Sequence, residues 1–71
     1  MSIRTNDRVK ARVKINGGAF KPDAKRGRKG IVLSTSWTGQ KAKVHFEADG
    51  FMHPETTISD IPIDHLEKIS Y

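Results

Sequence analysis

Apolar and polar residues alternate with a period of two in two stretches of this chain, and those stretches anchor the reading of what lies between them. In residues 7–15, Val9, Ala11, Val13 and Ile15 share one parity, while Arg8, Lys10, Arg12 and Lys14 share the other. In residues 41–47, Ala42, Val44 and Phe46 alternate with Lys41, Lys43, His45 and Glu47. Successive side chains of a strand point to opposite faces, so each stretch predicts a strand with one buried face. On a helix the same apolar residues would scatter around the axis. Residues 31–36 are rich in strand-forming side chains, and Thr38, Gly39 and Gln40 mark a turn, so residues 27–46 read as a β-hairpin. Gly27 and Gly30 bracket its entry, where glycine permits a tight bend and close backbone approach. Val32 is expected to point inward. Ile31 and Leu33 then lie on the opposite face, open to a loop, a terminus or a second protein.

The remaining segments are shorter and more broken. Residues 16–26 carry two turn signals, Asn16-Gly17-Gly18 and Lys21-Pro22-Asp23, with Phe20 between them and expected to tuck back onto the sheet. Residues 47–50 read as a strand end and turn. The β-branched run Thr56-Thr57-Ile58 predicts a short strand. Pro62 argues against a central strand around it. A single helical turn over residues 63–65 and a short final strand over 66–69 complete the pattern. The expected fold is all-β: a small barrel of about five short antiparallel strands, with a one-turn 3-10 helix before the last. Residues 1–6 are a lead-in and 7–71 the barrel domain. Val9, Val13, Val32, Val44, Phe46, Ile63 and Leu66 are its expected core.

With 71 residues the chain forms one domain at most. A domain of that size buries only ~60% of the surface its unfolded chain exposes, so its core is small. It has no cysteine, hence neither a disulfide framework nor a thiolate zinc site. No apolar run approaches the ~18 residues of a membrane span, and residues 1–7 are too polar for a secretory signal. A cytoplasmic setting without membrane insertion is the expectation.

Charge changes the picture more. The formal net charge is +5, but residues 1–29 hold ten Lys and Arg against Asp7 and Asp23, a net +8, and residues 30–71 carry −3. Such asymmetry points to an anionic partner for the first half. Arg8, Lys10, Arg12 and Lys14 would form a cationic stripe on the first strand, ~7 Å between neighbours. Lys25, Arg26, Arg28 and Lys29 would add a basic loop beside it. These eight residues are the candidates for binding nucleic acid, DNA or RNA, through its phosphates, or an acidic protein. Few aromatic residues interleave with them, which speaks against base-specific reading of single strands. Trp37, the only tryptophan, sits at the hairpin tip. It either offers a stacking surface or folds down onto the barrel end. Ile31, Leu33, Phe51 and Met52 are the apolar candidates for seating the chain in a larger complex.

Catalysis finds no footing. Ser34 and Ser36 lack a nucleophile-elbow context, and His45, His53 and His65 are spaced too irregularly for a local zinc motif. The Gly27 to Gly30 bend lacks the Gly-Lys-Ser/Thr ending and following helix of a phosphate-binding P-loop. A binding module without cofactor or metal is the expectation, not an enzyme.

Gly27-Arg28-Lys29-Gly30-Ile31-Val32 resembles the core of the KOW motif found in ribosomal proteins and transcription elongation factors. Gly30-Ile31-Val32, Val44-His45-Phe46-Glu47 and the closing Asp64-His65-Leu66-Glu67-Lys68-Ile69 are similar to photosystem I subunit IV and related electron-transport accessory proteins. Both groups are SH3-like barrels. The first resemblance implies nucleic-acid binding and the second a docking subunit, over residues 7–69 in either case. Plasmid-borne trimethoprim-insensitive dihydrofolate reductases share the barrel, but their Val-Gln-Ile-Tyr signature is replaced here by Ser59-Asp60-Ile61-Pro62.

Overall fold

The computed structural model describes residues 3–17, 23–50 and 54–69. The expectations for Phe20, Lys21, Phe51, Met52 and His53 therefore concern positions outside the described residues. Five strands form one antiparallel sheet: β1 (Arg8–Ala11), β2 (Lys29–Thr35), β3 (Lys41–Phe46), β4 (Thr56–Pro62) and β5 (Leu66–Lys68). Their order in the sheet is β4-β3-β2-β1-β5. A single 3-10 turn, Ile63–His65, joins β4 to β5. The all-β class and the turn before the last strand are as the pattern predicts.

That turn forces the sheet to curl. β4 and β5 occupy opposite edges, four strand spacings apart, and a flat sheet would separate them by ~19 Å. The chain from Pro62 to Leu66 reaches at most ~14 Å. Only a strongly coiled sheet brings the two edges within that span. The Arg12 N–H donates to His65 O at 2.8 Å, and the Ile63 N–H donates to Gln40 O at 3.0 Å, fastening the turn to both halves of the sheet.

Two register shifts supply the curvature. Opposite Val44 and Lys43, β2 inserts Leu33, and β4 inserts Ser59 and Asp60 between Ile58 and Ile61. Both neighbours of β3 thus bulge at Lys43, and bulges bend and twist the strands that carry them. Asp60 takes up its part with φ +57°, a left-handed conformation that short polar side chains tolerate. Close approach does the rest at Gly30. A Cβ there would meet His45 O at 2.7 Å, Val44 Cγ1 at 2.9 Å and Phe46 Cα at 3.0 Å.

The concave face is the core. Val9, Val32, Val44 and Phe46 are fully buried, with Ile61, Leu66, Ala11 and Ala42 nearly so. Ile63 is only half-buried at the rim, although it packs against the cluster. Val13, expected inside, is 43% exposed. The reason is pairing. β1 meets β5 last at Ala11↔Leu66 and β2 last at Lys10↔Lys29, so beyond Ala11 no strand continues on either side. The chain bends at Arg12 and Val13 and loses its period. Ile15 rejoins the core through an isolated bridge to Ala24, with reciprocal N–H···O bonds of 2.8 and 2.9 Å.

Before β1, the Asp7 carboxylate accepts the Arg4 N–H at 2.8 Å and pairs with Lys68 of β5 at 3.5 Å. The Arg4 amide above all holds the Asp7 carboxyl below its usual range, against partial desolvation and with help from the Lys68 ammonium. Next to it, Asn6 N–H donates to Val32 O and Val32 N–H to Asp7 O, extending the β1–β2 pairing by one step.

Truncating Phe46 to alanine should cost ~3–5 kcal/mol, the range for a buried phenylalanine. A domain this small holds ~5 kcal/mol in all, so Phe46→Ala should leave little cooperative unfolding in a thermal melt. A midpoint within a few degrees of the parent would remove Phe46 from the core. Gly30→Ala should cost ~1–3 kcal/mol by overpacking, because β3 is paired on both sides and cannot retreat from the added methyl. An unchanged midpoint for Gly30→Ala would show the approach of β2 to β3 to be looser than these distances.

Candidate functional site

Directly opposed residues of antiparallel strands share a face, so the registers sort every candidate side chain. Arg8 lies in a convex row with Ile31, His45 and Thr57. Lys10 lies in the next row, flanked by Glu67 on β5 and Lys29 on β2, with Glu47 beyond Lys29. Across that row two adjacent lysines are flanked by an acid on each side. Lys10 pairs with Glu67 at 3.0 Å, and both side chains remain about half exposed, so the pair contributes only ~0.2–1 kcal/mol. The continuous cationic stripe expected along residues 8–14 is therefore not formed. Arg12 and Lys14 lie past the end of β1, and Lys14 approaches Asp23 at 3.7 Å.

The expected loose basic loop is a hydrogen-bonded turn. Arg28 N–H donates to Lys25 O at 3.1 Å, and Gly27 occupies the position needing positive φ, at +89°, as a type II turn requires. Gly27 N–H donates to Ala11 O at 2.7 Å and Ala11 N–H to Arg28 O at 2.9 Å, tying the turn to the end of β1. Lys25, Arg26 and Lys29 project outward from it and are exposed. Arg12 and Arg26 flank a groove of about 340 Å³ with Lys10 on one wall and Glu67 in its lining. Arg12, Lys25, Arg26 and Lys29 make no ion pair among the described residues.

Arg28 behaves differently from its neighbours. The sequence pattern places it in the exposed basic loop, but it is 4% exposed, on the concave side. Val32 and Gly30 face inward, and the same period of two carries Arg28 inward with them. That phase was available in the sequence; charge obscured it. Its Nη1 donates to Pro54 O at 3.1 Å, while Nε and Nη2 have no partner among the described residues. A buried charge with unpaired donors costs several kcal/mol in a medium of low dielectric. Arg28 thus fastens the chain ahead of β4 to the start of β2 and offers no donor to a ligand on the surface.

Trp37 stands at the other end of β2. Of the two positions open to it, the structure selects the outward one, 97% exposed. Lys29 and Thr35 bound a seven-residue strand, so ~20 Å separates the basic turn from the hairpin tip. The sequence candidates accordingly fall into two groups, not one surface. His45, on the polar face of its strand, is half-buried: its Nδ1 shares a hydrogen bond with Thr57 Oγ1 at 2.8 Å, and Nε2 lies 3.5 Å from Glu55. Among the described residues no group of three His, Asp or Glu is placed to hold a metal ion, and no helix is long and apolar enough to cross a membrane.

Comparison with family models, curated proteins and solved structures finds no match to this chain.

Replacing Arg28 with methionine, which keeps the long stem and removes the charge, should hold or raise the melting midpoint, since the stem supplies packing and the guanidinium a penalty. Arg28→Ala should lower it. If Arg28→Met unfolds the domain, the single bond to Pro54 outweighs the burial of the charge.

Proposed function

We propose that this chain is a small SH3-like, KOW-like barrel that binds nucleic acid through its phosphates without reading base sequence, in the cytoplasm. The observation that carries the proposal is the cluster of Arg12, Lys25, Arg26 and Lys29. Four exposed cations without an ion pair among the described residues gather where β1 ends and β2 begins. A hydrogen-bonded turn holds them close despite their mutual repulsion, and a polyanion removes that repulsion. Lys and Arg contacts to phosphates position a protein on a strand and carry no base identity. The antiparallel order, with a one-turn helix joining the two edge strands, supports the SH3-like assignment.

A second reading, docking onto an acidic partner protein as an accessory subunit, is favoured by one feature. Leu33 is 44% exposed on the convex face, beside half-buried Ile31, where the β2 bulge lifts it away from the sheet. Such an apolar pair within a polar surface suits a protein contact.

The triple variant Lys25→Gln, Arg26→Gln, Lys29→Gln should weaken binding to duplexes of unrelated sequence equally. It should flatten the dependence of log K on log salt by about 3 units, since each neutralised phosphate contributes ~0.9. Retention of duplex and single strands by the parent at low salt is the first measurement. Its absence defeats the nucleic-acid reading, and loss of a protein partner on Leu33→Glu would then establish docking.

A further inference from the structure

The hairpin tip holds an arrangement that the phosphate reading leaves unused. The chain has one tryptophan, and the fold leaves it outside the core on a turn that is fixed in shape. Ser36 N–H donates to Lys41 O at 2.8 Å, Gly39 N–H to Ser36 O at 2.9 Å, and Lys41 N–H to Ser36 Oγ at 3.2 Å. Ser36 and Thr38 hydroxyls share a further bond of 3.1 Å, and Gly39 takes φ +76° to close the loop. Trp37 is thus exposed by a well-bonded turn, not by a frayed one.

On β3, which follows this turn, Lys41 and Lys43 project from the same convex face, two residues and ~7 Å apart. Both are exposed, and neither makes an ion pair among the described residues. The paired bulges at Lys43 border a groove of about 230 Å³, lined by the hydroxyl-bearing Ser34, Ser36 and Ser59 as well as both lysines, with Asp60 as its one acid.

We propose that this tip is a binding site for single-stranded nucleic acid: an unpaired base stacks on the Trp37 indole, and the adjoining phosphates meet Lys41 and Lys43. The inference rests on nucleic acid as the ligand and adds which form of it is chosen. Base faces are hidden in a duplex and open in a single strand, so an exposed indole discriminates between the two. Hydroxyls and lysines suit a sugar–phosphate backbone. A protein anchor pocket is instead built from large apolar and aromatic side chains, and Ala42 is the only residue with an apolar side chain lining this groove.

Trp37 supplies its own readout. Titrating the parent at low salt with a decathymidylate should quench tryptophan emission, and a ten-base-pair duplex should quench it far less. Binding of labelled decathymidylate, followed by anisotropy, should weaken roughly 5- to 150-fold in Trp37→Ala, the factor one stacked base carries. It should weaken less in Trp37→Phe. Lys41→Gln with Lys43→Gln should flatten the salt slope by ~1.4 units, at ~0.7 per phosphate of a single strand. Lys25→Gln, Arg26→Gln, Lys29→Gln should bind more weakly yet still quench at saturation. All variants should melt with the parent, since the altered side chains are exposed. Binding of the decathymidylate without change in emission, and with Trp37→Ala equal to the parent, overturns the tip site while phosphate binding stands. Equal affinity and equal quenching by the duplex overturn the choice of single strands. Failure of the parent to bind either form defeats the function proposed above and the tip site together.

Discussion

Three residues, Ile63–His65, connect strands at opposite edges of one sheet, and the rest of the fold follows from so short a connection. The sheet must coil until its edges meet, and coiling requires bulges, small residues and one close backbone approach. All three are present, at Lys43, at Ala11 and Ala42, and at Gly30. A longer connection would have let the sheet flatten, exposing Val9, Val44 and Phe46 on one side. Edge protection follows too. β4 carries the Ser59–Asp60 bulge and ends at Pro62, and β5 has three residues, so neither edge offers a long regular template to another strand.

Coiling also decides what the charges do. With the concave face reserved for the core, Val32 and Gly30, ahead of the bulge, are drawn inside, and Arg28, in phase with them, goes too. Its guanidinium is lost to the surface. On the convex face, β5 brings Glu67 against Lys10, and β3 brings Glu47 beside Lys29, so the acidic second half of the chain is spent partly on interrupting the basic first half. What survives is a cluster at one end of β2 and two lysines with a tryptophan at the other.

Much of the architecture was legible in the sequence because it depends on local periodicity. The alternation around Val44 and Phe46, the inward phase of Val32, the turn at Gly39 and the one-turn helix after Pro62 each follow from a few adjacent residues. Misreadings arose where a partner strand decides. Val13 continues the apolar period of Val9 and Ala11 but has nothing to pair with, so its chain bends away. His45 looks like one more polar residue on an outward face until Thr57 and Glu55 are brought to it by β4. The cationic stripe failed for the same reason, since Glu67 lies 57 positions from Lys10 and only the β1–β5 register makes them neighbours. Trp37 was undetermined because its exposure depends on how the turn closes, through Ser36 and Lys41.

The core and the two candidate sites occupy different parts of this small domain. The core holds one aromatic ring among the described residues, Phe46, and a set of Val, Ile, Leu and Ala side chains. The two candidate sites do not lean on it. The basic turn is fixed by bonds between Gly27, Ala11 and Arg28, and the hairpin tip by bonds between Ser36, Gly39 and Lys41. Both are backbone ladders continued past a strand end, so their shape is set by register and not by side-chain packing. Exposed cations and an exposed indole can therefore change without disturbing the fold, while one methyl at Gly30 disturbs the ladder on which both ends are built. The sheet tolerates variation at its two ends and very little at its centre, which is where a domain of 71 residues has least stability to spare.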